Sequence, residues 1–322
     1  MPNDKPPILV FGATGRQGGA VARALRQAQW SVRALVRDTA APRSIALNDA
    51  GVELAQGSLE DIEAIRAAMK GVHGVFSVLP GNLAQEEEVR AGISIADIAV
   101  ERGVRHFVYS SGASAGDRLT GVARFDAKPR IEAHVRSLPI TATIIRPMIF
   151  MEMLARPGFG LEEGRYSFFL RPDQAMQLIA VSDIGKFVAA VFADRSRFGG
   201  ETLKIAGDTV TGSDLEAVLT QAAGRPIAYA RFSEETLMAN PDLGTWPPAL
   251  KQGRLPTMST WMSCARSIRK SSRSGPGFPG TDSGLSRRRS DGERPEAVNR
   301  QAPCQRRPDH GSCHRRCRLL RR

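Results

Sequence analysis

Three glycines stand three residues apart, Gly12, Gly15 and Gly18, in the stretch "FGATGRQGG" that follows the apolar run "PILV". Between a strand and a helix, glycines at this spacing let the backbone approach a pyrophosphate. The helix start supplies unpaired N–H groups and the positive end of its dipole. A tight strand-to-helix turn without a ligand is the plain alternative, but three glycines exceed what such a turn needs. The next apolar run, "SVRALVR", ends in Arg37, where dinucleotide folds read the adenosine ribose. An acid there binds a 2′-hydroxyl and an arginine takes a 2′-phosphate. Arg16 within the loop and Arg37 after the strand favour NADP(H) over NAD(H), because guanidinium pairs phosphate bidentately. Asp38, directly after Arg37, argues the other way. Ser110 and Ser111 close the run "HFVYSS", where their hydroxyls could bind a carbonyl or simply end a strand.

The elements that must position these residues follow from apolar patterning. Apolar runs at 7–12, 31–37, 51–56, 73–79, 106–111 and 140–147 read as strands. Amphipathic stretches after Gly18, at 59–69, at 84–102 and at 122–137 read as helices. Such alternation predicts a doubly wound parallel α/β sheet of Rossmann type with right-handed crossovers. Beyond Pro147 the rhythm loosens. A strand and a helix capped by Ser182 or Asp183, the strand "ETLKIAG", a capped helix ending at Gly224 and the strand "PIAYARF" suggest a smaller C-terminal lobe on the substrate side. The expected division is 1–150 for dinucleotide binding, 151–257 for the lobe and 258–322 for a basic low-complexity tail.

"GATGRQG", "LVR", "FVYSSGAS" and "RFDAK" together resemble the NmrA-like group of atypical short-chain dehydrogenases, over residues 8 to 257. The resemblance implies the doubly wound sheet with a small C-terminal lobe. Several members of that group bind NADP(H) as regulators or redox sensors, and relatives reduce quinones or plant phenolics. Carried over by position, Gly12, Thr14, Gly15, Arg16, Gln17 and Gly18 would cradle the phosphates, Arg37 would meet the 2′-phosphate, and Lys128 would reach the nicotinamide ribose. Ser58 departs from the acidic residue usual near the adenine.

Short-chain dehydrogenases commonly carry Tyr-x-x-x-Lys, in which the lysine lowers the tyrosine pKa and the tyrosine passes the proton. Four residues before Lys128 stands Arg124, which is no proton donor at useful pH. If there is hydride transfer, Lys128 and Ser111 are the catalytic candidates. Lys128 could instead pair with Glu132 one helical turn on. Two function classes follow. One is a dinucleotide-responsive regulator or redox sensor, with a small molecule or another protein as partner. The other is an NADPH-dependent reductase of a quinone or similar acceptor, whose reduced form needs little enzymic proton donation. The residues lean towards the first. His73, His106 and His134 lack metal-ligand spacing, and no metal is expected.

The net charge of +12 is carried by the tail: residues 254–322 hold 17 Lys and Arg against 5 Asp and Glu, and the preceding residues balance. All four cysteines also lie there. No apolar run reaches the roughly 20 residues that span a bilayer. "MPNDKPP" has no signal-like apolar core, so a cytoplasmic location without membrane attachment is expected. The tail reads as a disordered basic segment, as a nucleic-acid-binding arm, or as a weak zinc site. A further reading is translation out of frame, since a shifted frame from Met258 permits a helix-like ending and a stop codon. Nucleic acid is an expected partner only if the tail is genuine.

Overall fold

Ile8, Leu9, Val10 and Phe11 are each at most 1% exposed, although alternate strand residues point to opposite faces. A strand buried on both faces needs helices above and below it, and the chain supplies them. The structure, a computed structural model, describes residues 6–112, 123–155 and 157–239. The expected tail lies outside the described residues.

In chain order the first half runs β1 (Ile8–Val10), α1 (Arg16–Gln27), β2 (Val32–Val36), α2 (Pro42–Asp49), β3 (Glu53–Gln56), α3 (Ile62–Ala68), β4 (Gly74–Ser77), α4 (Gln85–Glu101), β5 (His106–Ser110), α5 (Ala123–Ser137) and β6 (Ala142–Pro147). There follow β7 (Ile149–Phe150), α6 (Met151–Leu154), β8 (Arg165–Phe168), β9 (Met176–Ile179), α7 (Val181–Ala193), α8 (Arg195–Phe198), β10 (Thr202–Ile205), β11 (Asp208–Val210), α9 (Gly212–Ala223), β12 (Ala228–Arg231) and α10 (Glu234–Ala239). Seven parallel strands form the main sheet in the order β3-β2-β1-β4-β5-β6-β10. The order reverses at β1, whose Val10 lies opposite Ala34 of β2 and Phe76 of β4. In such sheets ligands bind beyond the carboxyl ends of the strands at this reversal.

Leu9, Phe11, Val75, Phe107, Tyr109 and Ile144 share one apolar core with residues of α3, α4 and α5. On the other side α7 packs along α1, so closely that a Cβ on Gly185 would lie 2.4 Å from the Ala20 carbonyl oxygen. Past β6 the chain also builds two small sheets, β11-β9-β7 and β12-β8, over a second core that includes Tyr166, Phe168, Leu178, Leu215 and Ile227. It does not stay there, because β10 returns to the edge of the main sheet beside β6.

One local expectation is corrected, and one helix is added to those expected. Neither Ser182 nor Asp183 caps α7: the helix starts at Val181, whose amide donates to Glu152 Oε1 of α6 at 2.9 Å, while Asp183 pairs with Lys186. The cap comes from a distant helix, which local sequence does not reveal. Helix α2 was not expected, because its short, weakly patterned run "PRSIALND" gives little helical periodicity. By contrast, Thr211 and Asp214 form the capping box of α9, and Gly224 ends that helix with φ +64°.

At the amino end of β5, His106 is fully buried. Thr143 donates its hydroxyl proton to the Phe198 carbonyl at 2.7 Å, so His106 Nε2–H must donate to Thr143 Oγ1, at 2.8 Å. That leaves Nδ1 enclosed without a partner. Burial, with the charges of Arg195 and His73 adding to it, lowers the His106 pKa to about 4. An unfolded chain takes up this proton near pH 6.5 and the folded one only near 4. Stability is therefore complete above pH 6.5 and falls as pH drops towards 4, by about 3 kcal/mol from this one group. Comparing denaturation of the wild type and His106→Gln across pH 4–7 should show a shallower profile for the variant; parallel profiles would refute the assignment.

Candidate functional site

The glycine loop opens where β1 gives out. Phe11 still extends the ladder, its amide donating to the Phe76 carbonyl at 2.9 Å. Gly12 then turns with φ +67°, and a Cβ there would lie 2.9 Å from Val78 Cγ1 and 3.0 Å from the Val78 carbonyl oxygen. Gly18 sits in the first turn of α1, directly against this bend: a Cβ would come within 2.2 Å of the Gly12 carbonyl oxygen. The fold itself therefore demands glycine at 12 and 18. Gly15 is different. Its φ is −87°, it is exposed, and a Cβ would meet only the Gly12 oxygen, at 3.1 Å. Gly15 is also the N-cap of α1, with no capping side chain and no acidic residue in the first turn. The free space above Gly15 and the uncapped N–H groups fit a bound diphosphate.

Cations rim this end. Arg16 and Arg37 are exposed. Arg43 on α2, which the sequence reading missed, donates to the Thr14 carbonyl at 3.3 Å. Asp38 is turned inward on its own backbone: its carboxylate accepts from the Ala40 amide at 2.8 Å, and its carbonyl accepts from Ser44 Oγ at 2.6 Å. Its role is thus to start α2. Beyond β3, Ser58 Oγ accepts from the Glu60 amide, and this hydroxyl is the main cause holding the Glu60 carboxyl below its usual range, with Arg37 adding a smaller attraction.

The carboxyl end of β5 holds the remaining candidates. Gln17 is buried, and its side chain faces the sheet rather than the loop. Its Nε2 donates to Ser110 Oγ at 2.9 Å, and Ser110 Oγ stands 3.0 Å from Gln17 Oε1. Only the Gln17 backbone stays in the first turn of α1. Lys128 Nζ lies 2.5 Å from Glu88 Oε1 on α4, not on Glu132 as helical spacing suggested. Glu132 is fully buried and takes a bidentate clasp from Arg146 of β6 (Nε–Oε1 2.9 Å, Nη2–Oε2 2.6 Å) and a further bond from Arg136 (2.6 Å). Burial pushes the Glu132 pKa up, but the bonds from Arg146, the nearby Ser111 hydroxyl and the bond from Arg136 outweigh it and hold the carboxyl below its usual range. The Ser111 hydroxyl is enclosed beside this carboxylate without a well-aligned hydrogen bond. Tyr109 is 1% exposed with an enclosed, unpaired hydroxyl. Burial, reinforced by Glu88 and Glu132, raises its pKa well above 10. Glu88 and Arg146 gave no signal in the sequence, since only the packing of α4, α5 and β6 brings them to Lys128 and Glu132. Among the described residues no group of His, Cys, Asp or Glu could hold a metal ion, and no helix is long and apolar enough to cross a membrane.

Sheet order, glycine turn and uncapped α1 together define an α/β protein of the Rossmann type. The sequence profile of the NmrA-like family matches residues 4–245, and the chain belongs to that family. It is 30% identical to the NAD(P)H azoreductase of Xenophilus azovorans over 230 residues, covering 71% of this chain and 78% of that one. It is also 30% identical to an NmrA-like family domain-containing oxidoreductase of Aspergillus hancockii, covering 72% and 76%. Among solved structures, NmrA, a negative transcriptional regulator, in complex with NAD has a TM-score of 0.61 at 22% identity, covering 71% and 74%. The triphenylmethane reductase of Citrobacter sp. complexed with NADP(H) has a TM-score of 0.66 at 19% identity, covering 78% and 93%. At these identities the structures share the fold.

The Glu132 clasp makes a measurable prediction. Glu132→Gln removes the carboxylate charge that the buried Arg146 guanidinium clasps through two bonds and should lower stability by about 3–5 kcal/mol. Arg136→Ala removes the exposed partner and should cost at most about 1 kcal/mol. Chemical denaturation of both variants checks this; equal losses would show that the bidentate pair is not the anchor.

Proposed function

We propose that this protein binds NADP(H) beyond the carboxyl ends of β1 and β4 and acts as a dinucleotide-responsive regulator or redox sensor. The observation that carries the choice is at the end of β5, where the described side chains able to hand on a proton are enclosed or committed. The Tyr109 phenol is buried with a raised pKa, Ser110 is tied to Gln17, and Lys128 is tied to Glu88. Such a site can bind a dinucleotide and yet is poorly equipped for acid-assisted carbonyl reduction. Bound nucleotide would supply a hydride; the protein's own residues hold and sense it.

The uncapped first turn of α1 would hold the diphosphate over Gly15. Arg37 would meet the 2′-phosphate, and Arg43 steadies the loop through the Thr14 carbonyl. Lys128 is the family's candidate for the nicotinamide ribose. Because it is tied to Glu88, occupancy would exchange one of the ion pairs that join α4 to α5 and so alter that seam. This couples binding to shape, which a sensor needs. A second reading, an NADPH-dependent reductase of a quinone or similar acceptor, is favoured by the similarity to the Xenophilus azovorans azoreductase. Such acceptors need a hydride more than an enzymic acid.

Titrating the full chain with NADPH and NADH tests the binding. Gly15→Ala should weaken both about tenfold or more without moving the melting temperature, whereas Gly18→Ala should lower stability by about 1–3 kcal/mol. An unfolded Gly15→Ala protein, or one that binds as the wild type does, would remove the diphosphate assignment.

A lost charge-assisted bond is worth roughly 1.5–3 kcal/mol, so Arg37→Ala should weaken NADPH by about tenfold or more and NADH much less. Equal losses would remove Arg37 as the selector. NADPH oxidation measured against a quinone panel separates the two function classes: sustained turnover assigns the reductase, and tight binding without turnover assigns the sensor.

A further inference from the structure

At the opposite, amino end of the main sheet lies a second cleft, of about 440 Å³, within the range of small-molecule sites. It is lined by Trp30, His73, Phe192, Arg105 and Arg195 together with small alanines at the ends of α1 and α7. We propose that this cleft binds a planar aromatic carboxylate, stacked on Trp30 and His73 and held by the guanidinium groups of Arg105 and Arg195.

The frame is rigid because the residues lead directly into strands. The ladder of the sheet continues past their first residues: Ile8 donates to the Ser31 carbonyl, His73 to Pro7 and Arg105 to His73, at 2.9, 2.8 and 3.1 Å. Trp30, His73 and Arg105 are thereby set along neighbouring strand ends. The Trp30 and His73 rings lie 5.2 Å apart with planes at 37°, which makes one aromatic wall. Phe192 forms the floor, and behind it the buried His106 ring packs edge-on at 5.3 Å.

The charge in the cleft is one-sided. Arg195 donates from Nη1 to the Arg105 carbonyl at 3.1 Å, which brings its guanidinium over the start of β5. Its neighbour Asp194 does not neutralise it. That carboxylate accepts from Ser196 Oγ and the Arg197 amide at the start of α8, at 2.7 and 3.1 Å. Arg105 is exposed, and neither arginine pairs with a carboxylate among the described residues. The C-terminal end of α1 carries partial negative charge, which would oppose an anion. It is already closed: the Ala28, Gln29 and Trp30 amides bond back to Ala24, Arg26 and Leu25, and Arg26 Nη1 donates to the Trp30 carbonyl. Two guanidinium groups with no acidic partner among the described residues, beside an aromatic wall, select an anion that carries a ring, since the ring gains from stacking and the carboxylate from bidentate bonds.

The test uses the full chain, with 1-naphthoate and its neutral isostere 1-naphthamide as probes, followed by ligand-observed NMR. Naphthoate should bind saturably, and the amide at least about tenfold more weakly. Arg105→Glu and Arg195→Glu, both at exposed positions, should each weaken naphthoate by about tenfold or more while leaving the melting temperature and the NADPH titration unchanged. Equal binding of the amide, wild-type affinity in both variants, or no saturable binding would overturn the proposal. Displacement of naphthoate by NADPH would overturn it too, by placing the probe in the crevice at the other end of the sheet. Because the NADPH titration is read separately, failure of this site and failure of the dinucleotide site are distinguishable.

Discussion

The contact between Gly18 and the Gly12 carbonyl is the constraint on which the rest of this structure depends. A methyl group at Gly18 would come within 2.2 Å of that oxygen, so α1 can begin where it does only because nothing is there. That close start aims the first turn of α1 across the end of β1. It also lays α1 against the sheet at a depth that α7 can match. The match is again made by glycine: Gly185 of α7 lets the two helices meet at the Ala20 carbonyl. One close approach thus sets both the open helix end and the packing of one whole face of the sheet.

The other face is ordered by charge rather than by missing atoms. A buried carboxylate is unfavourable unless it is well bonded, and Glu132 is bonded by two guanidinium groups, one buried and one exposed. The clasp joins α5 to β6, and Arg136 also reaches Thr202 Oγ1 at the start of β10. The Lys128–Glu88, Arg130–Glu86 and His134–Asp97 pairs then run along the seam between α4 and α5. A polar network this committed leaves the described end of β5 with little chemistry of its own. That is the physical ground for reading the protein as a binder of dinucleotide before a catalyst.

Helix α1 joins two chemically different ends of the molecule. At its start are exposed amides and the cations Arg16, Arg37 and Arg43; at its end are Trp30, His73 and two arginines that have no acidic partner among the described residues. Both ends are basic, yet the ligands they fit differ. The first offers backbone donors and free space to a diphosphate, and the second offers ring faces beside two exposed guanidinium groups.

The sequence by itself determined the Rossmann class, the family, the strand that leads into Arg37 and the glycine turn. These features are written in local pattern: runs buried on both faces, glycines at fixed spacing, and the capping box and terminal glycine of α9. Even the buried orientation of Tyr109 follows from its place in an apolar run. Tertiary structure decided which polar groups meet. Lys128 had Glu132 at helical spacing, but Glu88 from another helix reaches it, because Glu132 is drawn under the sheet by Arg146. Gln17 sits in a loop motif, but its amide is spent on Ser110, 93 residues away. The cap of α7 comes from Glu152, and α2, with Arg43 on it, had too little periodicity to be seen. Spacing along a chain limits only near neighbours. Side-chain partners are chosen by which surfaces the sheet brings within about 3 Å of one another, and that choice is made only when the whole sheet is assembled.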